Sequence, residues 1–332
     1  MKIKLKWVVA VEASLILALI LFILIPKPQN ACPGTGNGHT GLLSPRVYAG
    51  LLKPKNFLIT NFDPLQARLD DYISENRLNV SVYVQNLRNG AEMEINKNIP
   101  LFPASLNKIP IGILILQKIE KKELMLDSMI EIRDEDRVSD SSELYKTKEK
   151  ELPLRVLLES MLKNSDNTAF KVLLGLIGKH DLELLLNYND LNPESTYLLQ
   201  KKLAGSGELV TPVEISNIFR SLYLSSVLGI NDSEYVLMLL TQDIFDIKKA
   251  AALPDNVIVA HKFGAYYSGG YKYFHDCGIM YIGESRMLYC IMTKDIDEQK
   301  AIRTIGIFVN SIYSYTNYTR EYLNTYREQG YI

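Results

Sequence analysis

Residues 102–108, Phe102-Pro103-Ala104-Ser105-Leu106-Asn107-Lys108, run directly into IPIGILILQKIEKK at 109–122, and this stretch decides how the rest of the chain is read. The apolar run has the length of a buried helix. Pro110 has no N–H to give and is tolerated only in a helix's first turn, so the helix is expected to start near Ser105. That places the Ser105 hydroxyl at the positive end of the helix and the Lys108 amine on the same face, three residues on. One reading is a nucleophile with its base. The other is an N-cap serine beside a surface lysine. Ser160-Met161-Leu162-Lys163 has the same spacing with no claim to function, so the spacing does not decide the matter alone.

Two further segments have the same double character. Ser165-Asp166-Asn167 falls between the helical stretch Leu154–Lys163 and the helical stretch TAFKVLLGLIG (168–178), where a tripeptide of this kind ordinarily caps a helix. His261-Lys262-Phe263-Gly264-Ala265 closes the strand-like run VIVA (257–260), and by itself it is a strand end with a solvated lysine.

Outward from these segments, Asp63-Pro64 opens a helical pattern through Leu65, Leu69, Tyr72 and Ile73. NVSVYVQNL (79–87) alternates like a strand, with a turn at Asn89-Gly90. Helical spacing dominates from Ser105 to about Leu240. NVIVAHKFG, YFHDCGIMYIG and RMLYCIMTK then read as three strands, followed by a helix through Ile302, Ile305, Phe308 and Ile312. Tyr315, Tyr318, Tyr322 and Tyr326 extend this helix, and packing is their expected role. Cys277 and Cys290, on adjacent strands, are expected as buried free thiols, a bridge requiring a shifted register. The pattern predicts an α/β (α+β) fold: an α/β part built from 62–104 and 255–316, plus an all-helical part at 105–254, with a cleft between them.

The amino terminus is different in kind. Lys2, Lys4 and Lys6 form a basic end (1–6) ahead of WVVAVEASLILALILFILI (7–25), which as a helix reaches roughly 28 Å, enough to cross a bilayer core. Pro26, Lys27 and Pro28 follow in place of a cleavage site, so 7–25 reads as an uncleaved signal-anchor with its body exported. The glycine- and proline-rich stretch 26–61 reads as a flexible tether to a domain at 62–332. With 332 residues, 47% hydrophobic and 23% charged, the chain is that of a folded globular protein. Thirty-seven basic residues against 38 acidic ones give no field to recruit nucleic acid. Three cysteines and four histidines, with no C-x-x-C or H-x-H spacing, offer no metal cage, and no cofactor is implied.

Taken together and in this order, Ser105-x-x-Lys108, Ser165-Asp166-Asn167, His261-Lys262-x-Gly264 and the strand His275-Asp276-Cys277-Gly278 make the sequence resemble the class A β-lactamase-like branch of the penicillin-recognising serine hydrolases. The resemblance extends over about Asp63 to Tyr315 and implies a β-lactamase/transpeptidase-like fold, an antiparallel sheet with flanking helices plus an all-helical subdomain. It implies that Ser105 is acylated while Lys108 takes its proton, and that Ser165 passes a proton to the leaving nitrogen. It also implies that Asn167 holds the substrate amide, that Asp166 braces the turn, and that Lys262 supplies positive field near Ser165 and the substrate carboxylate. The backbone N–H groups of Ser105 and Ala265 then form the oxyanion hole, beside Gly264.

The sequence departs from that pattern twice. Phe263 stands where the family carries a threonine or serine that helps bind the substrate carboxylate, and Lys272 is a candidate replacement cation, read by default as a surface lysine. Between Asn187 and Thr211 the family carries a glutamate that activates the deacylating water. The nearest match here is Asn192-Pro193-Glu194-Ser195, with an amide that takes no proton from water. Glu194 and Glu208 read as surface residues. The expectation is a monomeric, membrane-anchored β-lactam hydrolase with slow deacylation. The alternatives are a D-Ala-D-Ala peptidase acting on peptidoglycan stem peptides and a non-turnover β-lactam sensor in which Phe263 closes the pocket.

Overall fold

The computed structural model describes Leu42 and residues 61–139, 143–177, 209–268 and 270–328, all of which lie in one unit, His39–Ile332. The expected anchor at 7–25 and the loop with Asn192, Glu194 and Glu208 lie outside them. Among the described residues no helix is long and apolar enough to cross a membrane. Leu42, within the stretch read as a tether, is buried, and its carbonyl accepts a hydrogen bond from the Tyr281 hydroxyl at 2.6 Å.

The domain opens with α1 (Asp63–Asn76), whose early proline suits a first turn and which buries Leu65 and Leu69. It ends at Arg77 in the left-handed conformation. Strands β1 (Val80–Asn86) and β2 (Glu92–Ile95) form the expected hairpin, with Gly90 at φ 82° in its turn. After a 3-10 turn at Ala104–Asn107 come α2 (Lys108–Glu120), the short pair β3 (Met129–Glu131) and β4 (Glu151–Pro153), then α3 (Leu154–Lys163) and α4 (Asn167–Gly175). Helices α5 (Pro212–Tyr223), α6 (Ile230–Leu240) and α7 (Ile247–Ala250) lead to β5 (Ile258–Ser268), β6 (Tyr271–Ile282), β7 (Ser285–Lys294) and the long α8 (Glu298–Glu328).

Five strands pair antiparallel in the order β2-β1-β7-β6-β5, so β5 is an edge strand. One face, with Val82, Val84, Phe274, Met280, Tyr289 and Ile291, packs on Leu65 and Leu69 of α1 and on Ile305, Phe308 and Ile312 of α8. Alternate residues such as Leu288, Cys290 and Met292 are buried on the other side, where α5 lies against β7, β6 and β1. Cover on both faces is why β6 and β7 read as near-continuous apolar runs, where β1 reads as alternation.

Three expectations are corrected here. The α-helix starts at Lys108, not at Ser105: Pro110 fits its first turn, and the residues before it close a single 3-10 turn. His261-Lys262 does not close a strand, because β5 continues through Ser268, carried by its pairing with Tyr271–Tyr281 of β6. Cys277 and Cys290 are bonded as a disulfide, because the register sets them directly opposite each other without any shift. The tyrosines of α8 divide: Tyr315 packs on Phe62, while Tyr318 and Tyr322 are exposed and stack on one another.

Candidate active site

Ser105 sits half-buried in the 3-10 turn that feeds α2, preceded by Ala104 at φ 48°, a conformation that a residue with a side chain adopts only under constraint. The constraint is visible on both sides. A Cβ added to Gly264 of β5 would come within 2.9 Å of the Pro103 carbonyl oxygen and 3.2 Å of the Ser105 nitrogen, so only glycine lets the edge strand lie against the Ser105 peptide. From β6, His275 Nε2 lies 2.8 Å from the Phe102 carbonyl oxygen while its Nδ1 accepts from the Thr293 N–H at 3.2 Å. The proton is therefore on Nε2, and the ring donates to the arm that carries Ser105. Burial pushes this imidazole down to about 4, which keeps it neutral for that task.

Lys108, fully buried, gathers the first two motifs. Its Nζ lies 3.1 Å from Ser105 Oγ, 3.1 Å from Ser165 Oγ, 2.5 Å from the Ser165 carbonyl oxygen and 2.7 Å from Asn167 Oδ1. The two shorter contacts reach oxygens that only accept, so they take N–H donors. The two longer ones reach hydroxyls, which both donate and accept. A lysine held this way can take a proton from one hydroxyl and hand one to the other. Ser165 has φ 56°, and in that conformation its carbonyl and its hydroxyl both turn to the amine. Asp166 holds the turn: Oδ1 accepts from the Ala169 N–H at 2.9 Å, capping α4, and Oδ2 accepts from the Leu144 N–H at 3.0 Å. The capping and bracing roles of the tripeptide coincide.

The third motif arrives differently. Lys262 and Asp243, both with fully buried side chains, form an ion pair, and the amine's hydrogen bond goes to that carboxylate rather than to Ser165. Burial raises the Asp243 carboxyl above its usual range, with the Lys262 ammonium and His261 pulling the other way. Phe263 packs on Phe245 and Phe274 with ring centroids 5.8 and 6.1 Å away, at the border of the core. Ala265 also lies against that core. Lys272 is an exposed residue paired with Asp297.

The sequence profile of the β-lactamase enzyme family matches residues 64–316. The chain belongs to that family. A comparison with curated protein sequences gives no match. Among solved structures it is similar to a β-lactamase from Chitinophaga pinensis DSM 2588, at 19% identity and a TM-score of 0.64, covering 76% of this chain and 99% of that one. It is similar to a class A β-lactamase from Bacteroides cellulosilyticus DSM 14838, at 18% and 0.65, covering 78% and 99%. It is also similar to PBP-A, at 18% and 0.66, covering 77% and 96%, and to a PBP-A mutant described as an acyl-enzyme complex with penicillin-G, at 19% and 0.63, covering 79% and 99%. The fold is thus β-lactamase/transpeptidase-like.

Within this β-lactamase-family frame, Ser105, Lys108, Ser165 and Asn167 come together, and Gly264 touches the peptide of Ser105. Lys262 stands on the same strand, held by Asp243. Sequence reasoning missed Asp243, which nothing in TQDIFD singles out. It also missed the buried chain in which Tyr289 donates to Asp276 Oδ1 at 2.6 Å and Asp276 Oδ2 lies 2.8 Å from His261 Nδ1. Burial alone would push His261 down, but the Asp276 carboxylate takes it above the ordinary range. Burial, together with the same carboxylate, holds the Tyr289 phenol well above its own range, so it remains a donor. The signal for it in the sequence is His261 with the His275-Asp276 pair, whose contact depends on the pairing of β5 with β6.

Proposed function

We propose that this member of the β-lactamase family is a serine hydrolase that β-lactams acylate on Ser105. The observation that carries the reading is the buried Lys108 amine, 3.1 Å from both the Ser105 and the Ser165 hydroxyl. In the acylation step Ser105 Oγ bonds to the lactam carbonyl carbon while its proton passes to Lys108. The C–N bond then breaks, and the proton leaves through Ser165 to the departing nitrogen. Asn167 holds the substrate amide, and the N–H groups of Ser105 and Ala265 stabilise the oxyanion, a contribution of about 2.7–4 kcal/mol per donor in enzymes of this kind. Deacylation is slow, because Asn192 stands where a base is needed. Residues 7–25 anchor the domain, with its chemistry outside the cytoplasm. Asn192 and the similarity to PBP-A also favour a second reading, a D-Ala-D-Ala peptidase that β-lactams trap.

Incubation with a fluorescent penicillin, followed by adduct mass against time, tests both. A label that decays indicates a β-lactamase, and a persistent one indicates a penicillin-binding peptidase. Ser105→Ala abolishes the label and Ser160→Ala leaves it intact. Labelling that survives Ser105→Ala refutes the nucleophile.

A further inference from the structure

The acyl-enzyme reading leaves open what the acyl donor carries beyond its reactive carbonyl, and the charges around Ser105 bear on this. The sequence offers two cations for a substrate carboxylate, Lys262 and Lys272. Each already has a carboxylate of its own. Lys262 is bonded to Asp243 with neither side chain reaching solvent, and Lys272, at the far end of the β5–β6 pair, is bonded to Asp297. An ammonium and a carboxylate in contact present a dipole, whose pull on an incoming anion falls off much faster than that of a bare charge. An external carboxylate at Lys262 would also have to displace Asp243 or share a dry site with it, and placing two carboxylates on one buried amine is costly.

The other groups along the strand agree. Phe263 brings no hydroxyl, and its ring is turned onto Phe245 and Phe274. On the face of β5 shared by Lys262 and Gly264, the next residue outward is Tyr266. It is 40% exposed, packs on Phe102 at 4.7 Å between centroids and is paired across the strands with Tyr273. The surface leading away from Ser105 in that direction is aromatic rather than basic.

We infer that this site takes uncharged acyl donors as readily as carboxylate-bearing ones, because Asp243 fills from inside the protein the place at Lys262 that a substrate carboxylate would take. The inference rests on acylation of Ser105, and its test separates the two. The full chain is treated with benzylpenicillin and with benzylpenicillin methyl ester, and the second-order rate of adduct formation is read by mass spectrometry for each. The expected rates agree within about threefold. An acid form faster than the ester by more than tenfold overturns the inference while leaving Ser105 as nucleophile. No adduct with either donor overturns the acyl-enzyme reading and this inference with it. Asp243→Asn uncovers the Lys262 charge, and the acid is then expected to gain at least tenfold over the ester; an unchanged ratio in folded Asp243→Asn counts against the inference. Should Asp243→Asn not fold, the double variant Lys262→Met, Asp243→Leu removes the pair as an apolar replacement. It is expected to keep the wild-type ratio, and a tenfold fall in the acid's relative rate shows that Lys262 reads the carboxylate after all.

Discussion

At the scale of single residues, the site depends on two groups that take no part in bond making. Gly264 is the first. A methyl at this position meets backbone on both sides, the Pro103 carbonyl oxygen at 2.9 Å and the Ser105 nitrogen at 3.2 Å, and backbone cannot swing aside as a side chain can. Gly264→Ala therefore displaces Ser105, the proposed nucleophile, from the edge strand. Since misplacement by about 1 Å can cost on the order of 100-fold, Ser105 labelling is expected to slow by at least tenfold in a protein whose thermal unfolding shows it folded. His275 is the second. Its imidazole is held down to about 4 by burial, below the ordinary histidine value of about 6.5. The unfolded chain thus binds the proton first. The stability that His275 contributes is complete above pH 6.5 and is lost as pH falls from there through 4. The depression corresponds to about 3 kcal/mol. Urea unfolding of the wild type and of His275→Gln at pH 7 and pH 4 is expected to show the larger loss in the wild type, and equal losses would exclude the coupling.

At the scale of elements, the distinction between cap and catalyst dissolves around α4. Asp166 satisfies the Ala169 N–H at the helix start and the Leu144 N–H of the neighbouring segment. It thereby fixes the left-handed Ser165 before it and Asn167 after it, both bonded to Lys108. Asp166→Ala removes the N-cap and strands a second buried donor. A loss of about 2–4 kcal/mol in chemical denaturation is expected, together with slower labelling of Ser105 at temperatures where the variant remains folded. Much of this was legible: SDN marked a helix start, the Asn89-Gly90 turn and the helix at Asp63-Pro64 are where the sequence puts them, and apolar periodicity gave α3 and α8. What was not legible depended on partners far away in sequence. The length of β5 beyond Gly264 is set by its pairing with β6, and the Cys277–Cys290 bond by the register between β6 and β7. The start of α2 shifted by one turn because proline marks the first turn of a helix without saying whether a 3-10 turn precedes it.

At the scale of the whole molecule, the three motifs converge because an edge strand, a 3-10 turn and an interhelical turn meet, and the least legible part was the charge balance at that meeting. Lys262 was visible in HKFG, but Asp243 lies 19 residues earlier in a segment with no motif, and only the packing of α6 against β5 makes them partners. The amino terminus raises the complementary question of where this chemistry takes place. On the reading proposed above, the 19-residue run 7–25, apolar but for Glu12 and Ser14, is expected to insert with Lys2, Lys4 and Lys6 inside and Lys27 as the first cation beyond it. That proposal exports the domain, an arrangement compatible with a disulfide between Cys277 and Cys290, since such bonds persist in oxidising compartments. Full-length protein in its cells is accordingly expected to sediment with membranes and to resist extraction by high salt, which removes electrostatically bound proteins but not an inserted helix. A membrane-impermeant fluorescent penicillin should label Ser105 in unbroken cells as completely as in lysed ones. Label that appears only after lysis places the domain inside and reverses the orientation drawn from the lysines, while label in the soluble fraction shows that residues 7–25 do not hold the mature protein to the bilayer.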